Sequence, residues 1–506
     1  MKDLFHYIHD LDEARWLKFV QFIELFPDKN EPWKKMIELA QLVRAEKENN
    51  FGAAYYSKKL HSVSKGANGT SILNKTVTTD RSARRIKKKL LEFISLDYNL
   101  TAEEKDVDYI GIQLQKKSIE FRVLSRMQKS HRSEHDLLDD IIKQAKNYEC
   151  YSILVAHLQM KKQYWGKLGQ ENYDALCLEI EHYKKREEAA ETTMDCLYRL
   201  QIFEEYNKNA NPLSLIKEKI PVLKKIVADY TSPLALYVLK LFEQEEQALL
   251  KNYEKATAIC FEIVKIIETN KTIKTQCRMG IAQAQLSQTL IYSNRFSESL
   301  KHVRKSLEYY SYGSFNYICS KGCEFYGLFY NQEYLKAEEC IRFMLTHSPR
   351  EQVGEFRYAQ YRFFLANVLF RQKNFAEVIQ LLNDQFEISH DKAGWAIGLR
   401  LLRIMTTIEM ENHDEAGKQI EQLRKFITFT ERNQTEVTLR NKTIMKFLSL
   451  ADKEGFMFSQ LNNASYKHLS ELITGNNGNA WEYFSPELIP FHEWAEGKMK
   501  IKNLKK

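Results

Sequence analysis

A chain of 506 residues that is 44% hydrophobic and 28% charged has the balance of a folded polypeptide, which excludes wholesale disorder. At roughly three typical domain lengths it is either several domains or one extended array. Lys and Arg number 75 against 67 Asp and Glu, and with only 18 Gly and 8 Pro the residues that interrupt helices are scarce, so most of the chain is expected to be helical.

The beginning, MKDLFHYIHDLDEARWLKF, sets acids among its apolar residues and lacks the apolar core of a signal peptide. No later stretch offers about 18 consecutive apolar residues for a membrane span. A cytoplasmic location is therefore expected, with the eight cysteines as free thiols. Residues 1–100 read as an N-terminal helical domain. Within it GANGTSILNKTVTTD, residues 66–80, is the densest Gly/Asn/Thr/Ser cluster and predicts a mobile loop, ending at Asp80 as the N-cap of the next helix.

That next helix, RSARRIKKKLLEF, carries six basic residues in its first nine positions. At about 100° per residue from Arg81, Ala83, Ile86, Leu90, Phe93 and Ile94 fall together on one side, and Arg81, Arg84, Arg85, Lys88 and Lys89 fall on the other. Residues 51–90 hold ten basic residues against the single acid Asp80, a balance of +9, whereas the whole chain is +8. Charge focused in this way attracts polyanions: nucleic-acid phosphates, an acidic protein surface or anionic lipid. Lys58, Lys59, Arg81, Arg84, Arg85, Lys88 and Lys89 are the candidate polyanion-binding residues, with Tyr55 and Tyr56 placed to stack on bases. The alternative is a solvated face neutralised within the fold by acid-rich helices such as EIEHYKKREEAAE.

Residues 101–248 read as diverged helical hairpins. His131 and His135 lie one helical turn apart but have no second ligand pair near in sequence, so a solvated helix start is expected there rather than a metal site. The stretch 171–206, free of Gly and Pro, predicts one or two long helices. Two further helices open on Asn-Pro at 211–212 and Ser-Pro at 232–233.

From 249 to 456 the sequence repeats. NYEKATAICFEIVKII from Asn252, NRFSESLKHVRKSL from Asn294, NQEYLKAEECIRFML from Asn331, NFAEVIQLL from Asn374 and NHDEAGKQIEQLRKF from Asn412 follow at steps of 42, 37, 43 and 38 residues. Each is preceded by a second amphipathic helix, for example GIAQAQLSQTLIYS or YRFFLANVLFRQK. Every unit is thus a helical hairpin that buries its apolar faces only by stacking on its neighbours. The small residues Ala256, Ser299, Ala337 and Ala416, with Val378 the bulkier exception, and Pro349 after LTHS resemble the tetratricopeptide repeat (TPR) superfamily. The period exceeds the usual TPR length and the first-helix consensus is mostly missing, so the likeness is TPR-like. The fold class this implies is all-α: an α-solenoid of stacked antiparallel helical hairpins. The layout also resembles, loosely, large bacterial TPR-like proteins.

In TPR-like geometry the first helix of each hairpin lines a groove. Gln288, Tyr326, Phe329, Phe363, Asn367 and Met405 are the groove residues this implies, suited to a peptide or partner helix. Two of them, Tyr326 and Phe329, lie within an aromatic run, EYYSYGSFNYICSKGCEFYGLFYNQEY, which equally supplies inter-helix packing. Cys319 and Cys323 read as small residues at a helix crossing rather than zinc ligands. Residues 457–506, with WEYFSPELIPFHEW and a basic tail, read as a C-terminal cap. No phosphate-binding Gly-rich loop, nucleophile elbow or HExxH motif is present, so no enzyme, metal or cofactor is expected. The expectation is a non-enzymatic scaffold binding a protein or peptide, with nucleic-acid binding through residues 81–93 as the alternative.

Overall fold

The computed structural model describes residues 2–9, 11–26, 33–46, 52–60, 69–101, 107–127, 131–165, 169–206, 211–348, 350–383, 394–432, 437–458, 461 and 463–503. The described residues are helices and their connections, with no strand among them, and they divide into two compact units, Met1–Val123 and Leu124–Lys506. None of these helices is long and apolar enough to cross a membrane.

The first unit contains α1 (Lys2–His9), α2 (Glu13–Leu25), α3 (Trp33–Ala45), α4 (Ala53–Leu60) and α5 (Gly69–Thr101), followed by α6 (Val107–Met127), which runs across the division. Its core gathers Trp16 and Phe19 of α2, Met36, Leu39 and Val43 of α3, and Ala83, Ile86, Leu90 and Phe93 of α5. The apolar stripe of α5 is thus the one its sequence spacing defines. The expected loop over 66–80 is corrected: 69–80 are the first turns of α5, and 66–68 lie outside the described residues. Asp80 is accordingly not an N-cap; it sits within the helix and pairs with Arg84 at 2.8 Å. Just past this stretch Ser82 Oγ donates to the Thr78 carbonyl at 3.1 Å, the way a hydroxyl is accommodated inside a helix.

The second unit continues with α7 (His131–Asn147), α8 (Tyr151–Trp165), α9 (Gln170–Tyr206), α10 (Leu213–Tyr230), α11 (Pro233–Leu249), α12 (Tyr253–Thr269), α13 (Gln276–Tyr292), α14 (Phe296–Glu308), α15 (Phe315–Tyr330) and α16 (Tyr334–His347). After them come α17 (Arg350–Arg371), α18 (Phe375–Asn383), α19 (Trp395–Glu409), α20 (His413–Arg432), α21 (Leu439–Lys453), α22 (Asn463–Thr474) and α23 (Phe491–Asn503). Each helix from α7 onward packs on the next in sequence, the order of stacked hairpins, so this unit is an all-α array of TPR-like hairpins. The Gly- and Pro-free stretch 171–206 is the single helix α9. The Ser-Pro start of α11 has Ser232 Oγ capping the Ala235 amide at 3.3 Å.

One turn recurs between the two helices of each hairpin. At Lys251, Asn294, Gln332, Lys373 and Glu411 the backbone is left-handed, with φ of 60°, 59°, 62°, 65° and 59°. Around each of them the same pair of backbone hydrogen bonds closes the helix end: Asn252 N to Gln247 O and Lys251 N to Ala248 O in the first hairpin, Asn374 N to Leu369 O and Lys373 N to Phe370 O in the fourth. This is a Schellman motif, which satisfies the last carbonyls of the first helix and reverses the chain. The second helices then cross closely at Ala256, Ser299, Ala337, Val378 and Ala416, all 0% exposed. Ser299 Oγ reaches Ser287 Oγ at 2.8 Å, which satisfies the buried hydroxyls at one crossing. Pro349 lies outside the described residues.

A non-glycine residue in the left-handed region costs about 1–2 kcal/mol, part of which glycine returns as lost unfolded-state restriction. Lys373→Gly is therefore expected to stabilise the array by about 0.5–1 kcal/mol, and the β-branched Lys373→Val to destabilise it by about 1 kcal/mol. Thermal denaturation of the full chain followed by helical circular dichroism checks both signs.

Candidate functional site

The six groove positions are not an open surface. Tyr326, Phe329, Phe363, Asn367 and Met405 are buried, and Gln288 alone is exposed. Phe363 packs edge-on against Trp395, and Asn367 Nδ2 donates to the Phe363 carbonyl at 2.8 Å within its own helix. Phe329 and Met405 belong to the continuous core that runs from α13 to α23. Tyr326 is covered from outside, and what covers it is the chain's own C-terminal region.

Between α22 and α23 the chain forms a loop, residues 479–487, that leaves the helical pattern and returns to its starting point. Arg440, at the start of α21 and 6% exposed, closes its base. Its guanidinium donates to the Asn479 carbonyl at 2.6 Å and to the Leu472 carbonyl at 3.3 Å. It also makes a two-pronged contact with the Glu487 carboxylate at 2.7 and 2.6 Å. Trp481 Nε1 donates to the Glu487 carbonyl at 2.7 Å, a second tie across the base. With ends held together and side chains packed inward, the segment is an Ω-loop.

The tip of this loop lies on the ends of the first helices α13 and α15 and on the start of α14. Tyr483 stands edge-on to Tyr292, Phe296 and Tyr330, with centroids 6.3, 5.9 and 4.8 Å apart. Phe484, itself in the left-handed region at φ 60°, meets Tyr326 at 4.4 Å and Tyr292 at 5.0 Å. Tyr292 in turn stacks on Tyr253 at 4.4 Å, so an aromatic cluster joins α12, α13, α15 and the loop. Two polar contacts border it: the Tyr483 hydroxyl donates to Asn294 Oδ1, and Lys251 pairs with Glu482. Burial pushes the Tyr330 and Tyr326 phenols well up, so neither ionises near neutral pH. Further along, Gly398 of α19 faces Pro486 so closely that a Cβ there would collide with the Pro486 carbonyl oxygen and lie 3.0 Å from its carbonyl carbon. A cavity of about 230 Å³ remains beside this contact, lined by Gly394, Gly398, Arg440, Asn441 and Pro486 among others.

Of the polyanion candidates, Lys58, Lys59, Arg81, Arg84 and Lys88 are exposed, while Arg85 and Lys89 are half-buried. Lys59 pairs with Glu46 at 2.5 Å and lies over the Tyr55 ring, and Lys89 pairs with Glu92 at 2.9 Å. Arg81, Arg84 and Lys88 share the outer face of α5. Tyr56 is 2% exposed in the core of the first unit and is not available to stack on a base; the Tyr55 hydroxyl donates to Glu46 at 3.0 Å. The His131 side chain lies outside the described residues, and no group of three potential metal ligands occurs among those described. Burial pushes the half-buried Cys323 thiol up to about 12, so it packs as a neutral group, one helical turn along α15 from the exposed Cys319.

No protein-family model and no curated protein sequence gives a significant match to the chain. Among solved structures it is similar to the crystal structure of a signal transduction ATPase with numerous domains (STAND protein) that has a tetratricopeptide repeat sensor, from Pyrococcus horikoshii. The identity is 10% and the TM-score 0.39, over 85% of this chain and 65% of that one. The stacked-hairpin architecture rests on the helix order and repeated turns described above.

His492 supplies a pH response at the base of the loop. Its Nδ1 accepts from Arg440 Nη2 at 3.0 Å, and burial, with Arg440 adding to it, pushes the imidazole down from 6.5 to about 4. The unfolded chain takes up this proton near 6.5 and the folded one only near 4. The contribution is therefore fully present above pH 6.5 and is lost as pH falls towards 4. In wild type the thermal midpoint is expected to fall more steeply over this window than in His492→Gln, measured side by side.

Proposed function

We propose that the second unit is a non-enzymatic protein-interaction module whose first-helix face takes a non-helical, aromatic segment of a partner protein. The observation that carries this reading is the aromatic cluster of Tyr292, Phe296, Tyr326 and Tyr330, which receives such a segment, the 479–487 loop, through rings and border polar groups. Tyrosine supplies large contact area at small entropic cost, and peripheral amide and ammonium groups orient what docks. Gln288, exposed and one helical turn before Tyr292, lies on the same stripe of α13.

A photo-crosslinking residue at position 288 of the full chain, expressed in its native cell, is expected to capture a discrete partner protein insensitive to nuclease. The same residue at position 335, on the exposed Leu335 of α16, is expected to capture it much less. Equal labelling from both positions would count against the face.

A second reading is favoured by one observation, the shared exposure of Arg81, Arg84 and Lys88 on α5: the first unit binds a nucleic acid through its phosphates. Reversing these three residues to Glu is expected to remove about two to three units from the slope of log affinity against log salt for an RNA or DNA duplex. An unchanged slope sinks this reading and leaves the first untouched.

A further inference from the structure

We propose that the 479–487 loop is an internal competitor for the partner-binding face, and that the partner segment presents the same chemistry: an acid followed by two aromatic residues and, two positions on, a proline. The proposal rests on the reading of that face as a binding surface. Three features of the loop support it.

The first is the division of labour along it. Its base is locked by a buried ion pair, with the Arg440 and Glu487 side chains 7% and 9% exposed. Its tip is held by contacts any comparable loop reproduces: Tyr483 and Phe484 against rings of the array, and Lys251 paired with Glu482 at side-chain exposures of 62% and 48%. An exposed pair of this kind adds little and exchanges readily. The tip can therefore lift from the array while the base stays fixed.

The second is its position. The residues the loop touches come from four of the five repeated hairpins: Lys251 from the first, Tyr292 from the second, Tyr326 with Tyr330 from the third, and Gly398 from the fifth. An occupant tethered in cis acts at an effective concentration of order millimolar. A free segment that binds the bare face with a Kd of order 10 µM is then weakened by roughly a hundredfold in the intact chain.

The third is Gly398. This residue lies inside α19, where alanine is a better helix former, yet a Cβ there has no room because of the Pro486 carbonyl. Gly398→Ala therefore pushes on the loop at Pro486 while changing the chemistry of none of the rings of the array or of the tip.

The test uses the full chain and a fluorescein-labelled, backbone-cyclised peptide of residues 480–487. Binding is read by fluorescence anisotropy, and loop opening by hydrogen exchange of the amides of residues 481–485. Gly398→Ala, and independently the pair Tyr483→Ser with Phe484→Ser, are expected to raise exchange in the loop and tighten peptide binding at least tenfold over wild type. Adding Tyr330→Ala to Gly398→Ala is expected to return binding to the wild-type level. If the peptide binds wild type and both opened variants equally, internal competition is overturned and the face remains a binding surface. If the loop opens in both variants and the peptide binds neither, both readings fall. If neither variant opens the loop or changes binding, the loop is a fixed strut and the competitor proposal is overturned, with position 288 crosslinking still deciding the face.

Discussion

The guanidinium of Arg440 is the interaction on which the C-terminal part of the molecule depends. A buried cation costs several kcal/mol in lost hydration, and this is offset only when its donors all find acceptors. Here Glu487 accepts on both prongs, the Leu472 and Asn479 carbonyls take Nη1, and His492 Nδ1 completes the set. One side chain thus joins the end of α22, both stems of the loop and the first turn of α23 to α21. A lysine there has no planar fork and cannot hold both carboxylate oxygens and both carbonyls in this geometry. The position of the aromatic tip on the array follows from this junction, because the stems decide where a nine-residue loop can reach.

The hairpin array was legible in the sequence because its determinants are local. Apolar spacing, small residues at crossings and a polar turn every forty or so residues lie within each unit, and the buried Ala256, Ser299, Ala337, Val378 and Ala416 occupy the crossings the pattern implies. The turn itself was legible only in outline. Asparagine marks it in all five hairpins, yet the left-handed residue is Asn294 in one and Lys251, Gln332, Lys373 and Glu411 in the others. What recurs is the hydrogen-bond pattern that closes the helix, and backbone geometry of this kind leaves a variable trace in residue identity. The same limit applies to residues 69–80. Their Gly, Asn, Ser and Thr content signals a loop, but local content is overridden by tertiary packing: the apolar stripe of α5 docks into the first core and the helix extends through them.

The candidate site was legible in half. The rings at Tyr326 and Phe329 were placed on first helices correctly, and the basic outer face of α5 follows directly from angular spacing. The occupant was not legible, because it comes from more than 150 residues further along the chain and no local pattern couples Tyr483 to Tyr330. Groove positions inferred from repeat geometry assume an empty concave surface. In this chain Phe363, Asn367 and Met405 pack inward instead, and the cap region supplies Leu488, Ile489 and Phe491 to the same core. The C-terminal cap therefore reaches back along the array as far as Lys251.

Contact between the loop and the array has a polarity that follows from burial. At the base, charge and carbonyl groups are withdrawn from water, where hydrogen bonds are strong and directional and a misplaced partner is costly. At the tip, ring-on-ring contacts contribute about 0.5–1.5 kcal/mol each beyond area and tolerate rotation, while the ion pair beside them is screened. Directional contacts fix one geometry; dispersive ones accept several. The gradient runs from a base held by directional contacts to a tip held by ring contacts and an exposed ion pair. If a partner segment takes the place of the tip as proposed, its selection would rest on the border groups, Asn294 for a phenolic hydroxyl and Lys251 for an acid one residue earlier, since the rings alone do not distinguish Tyr from Phe.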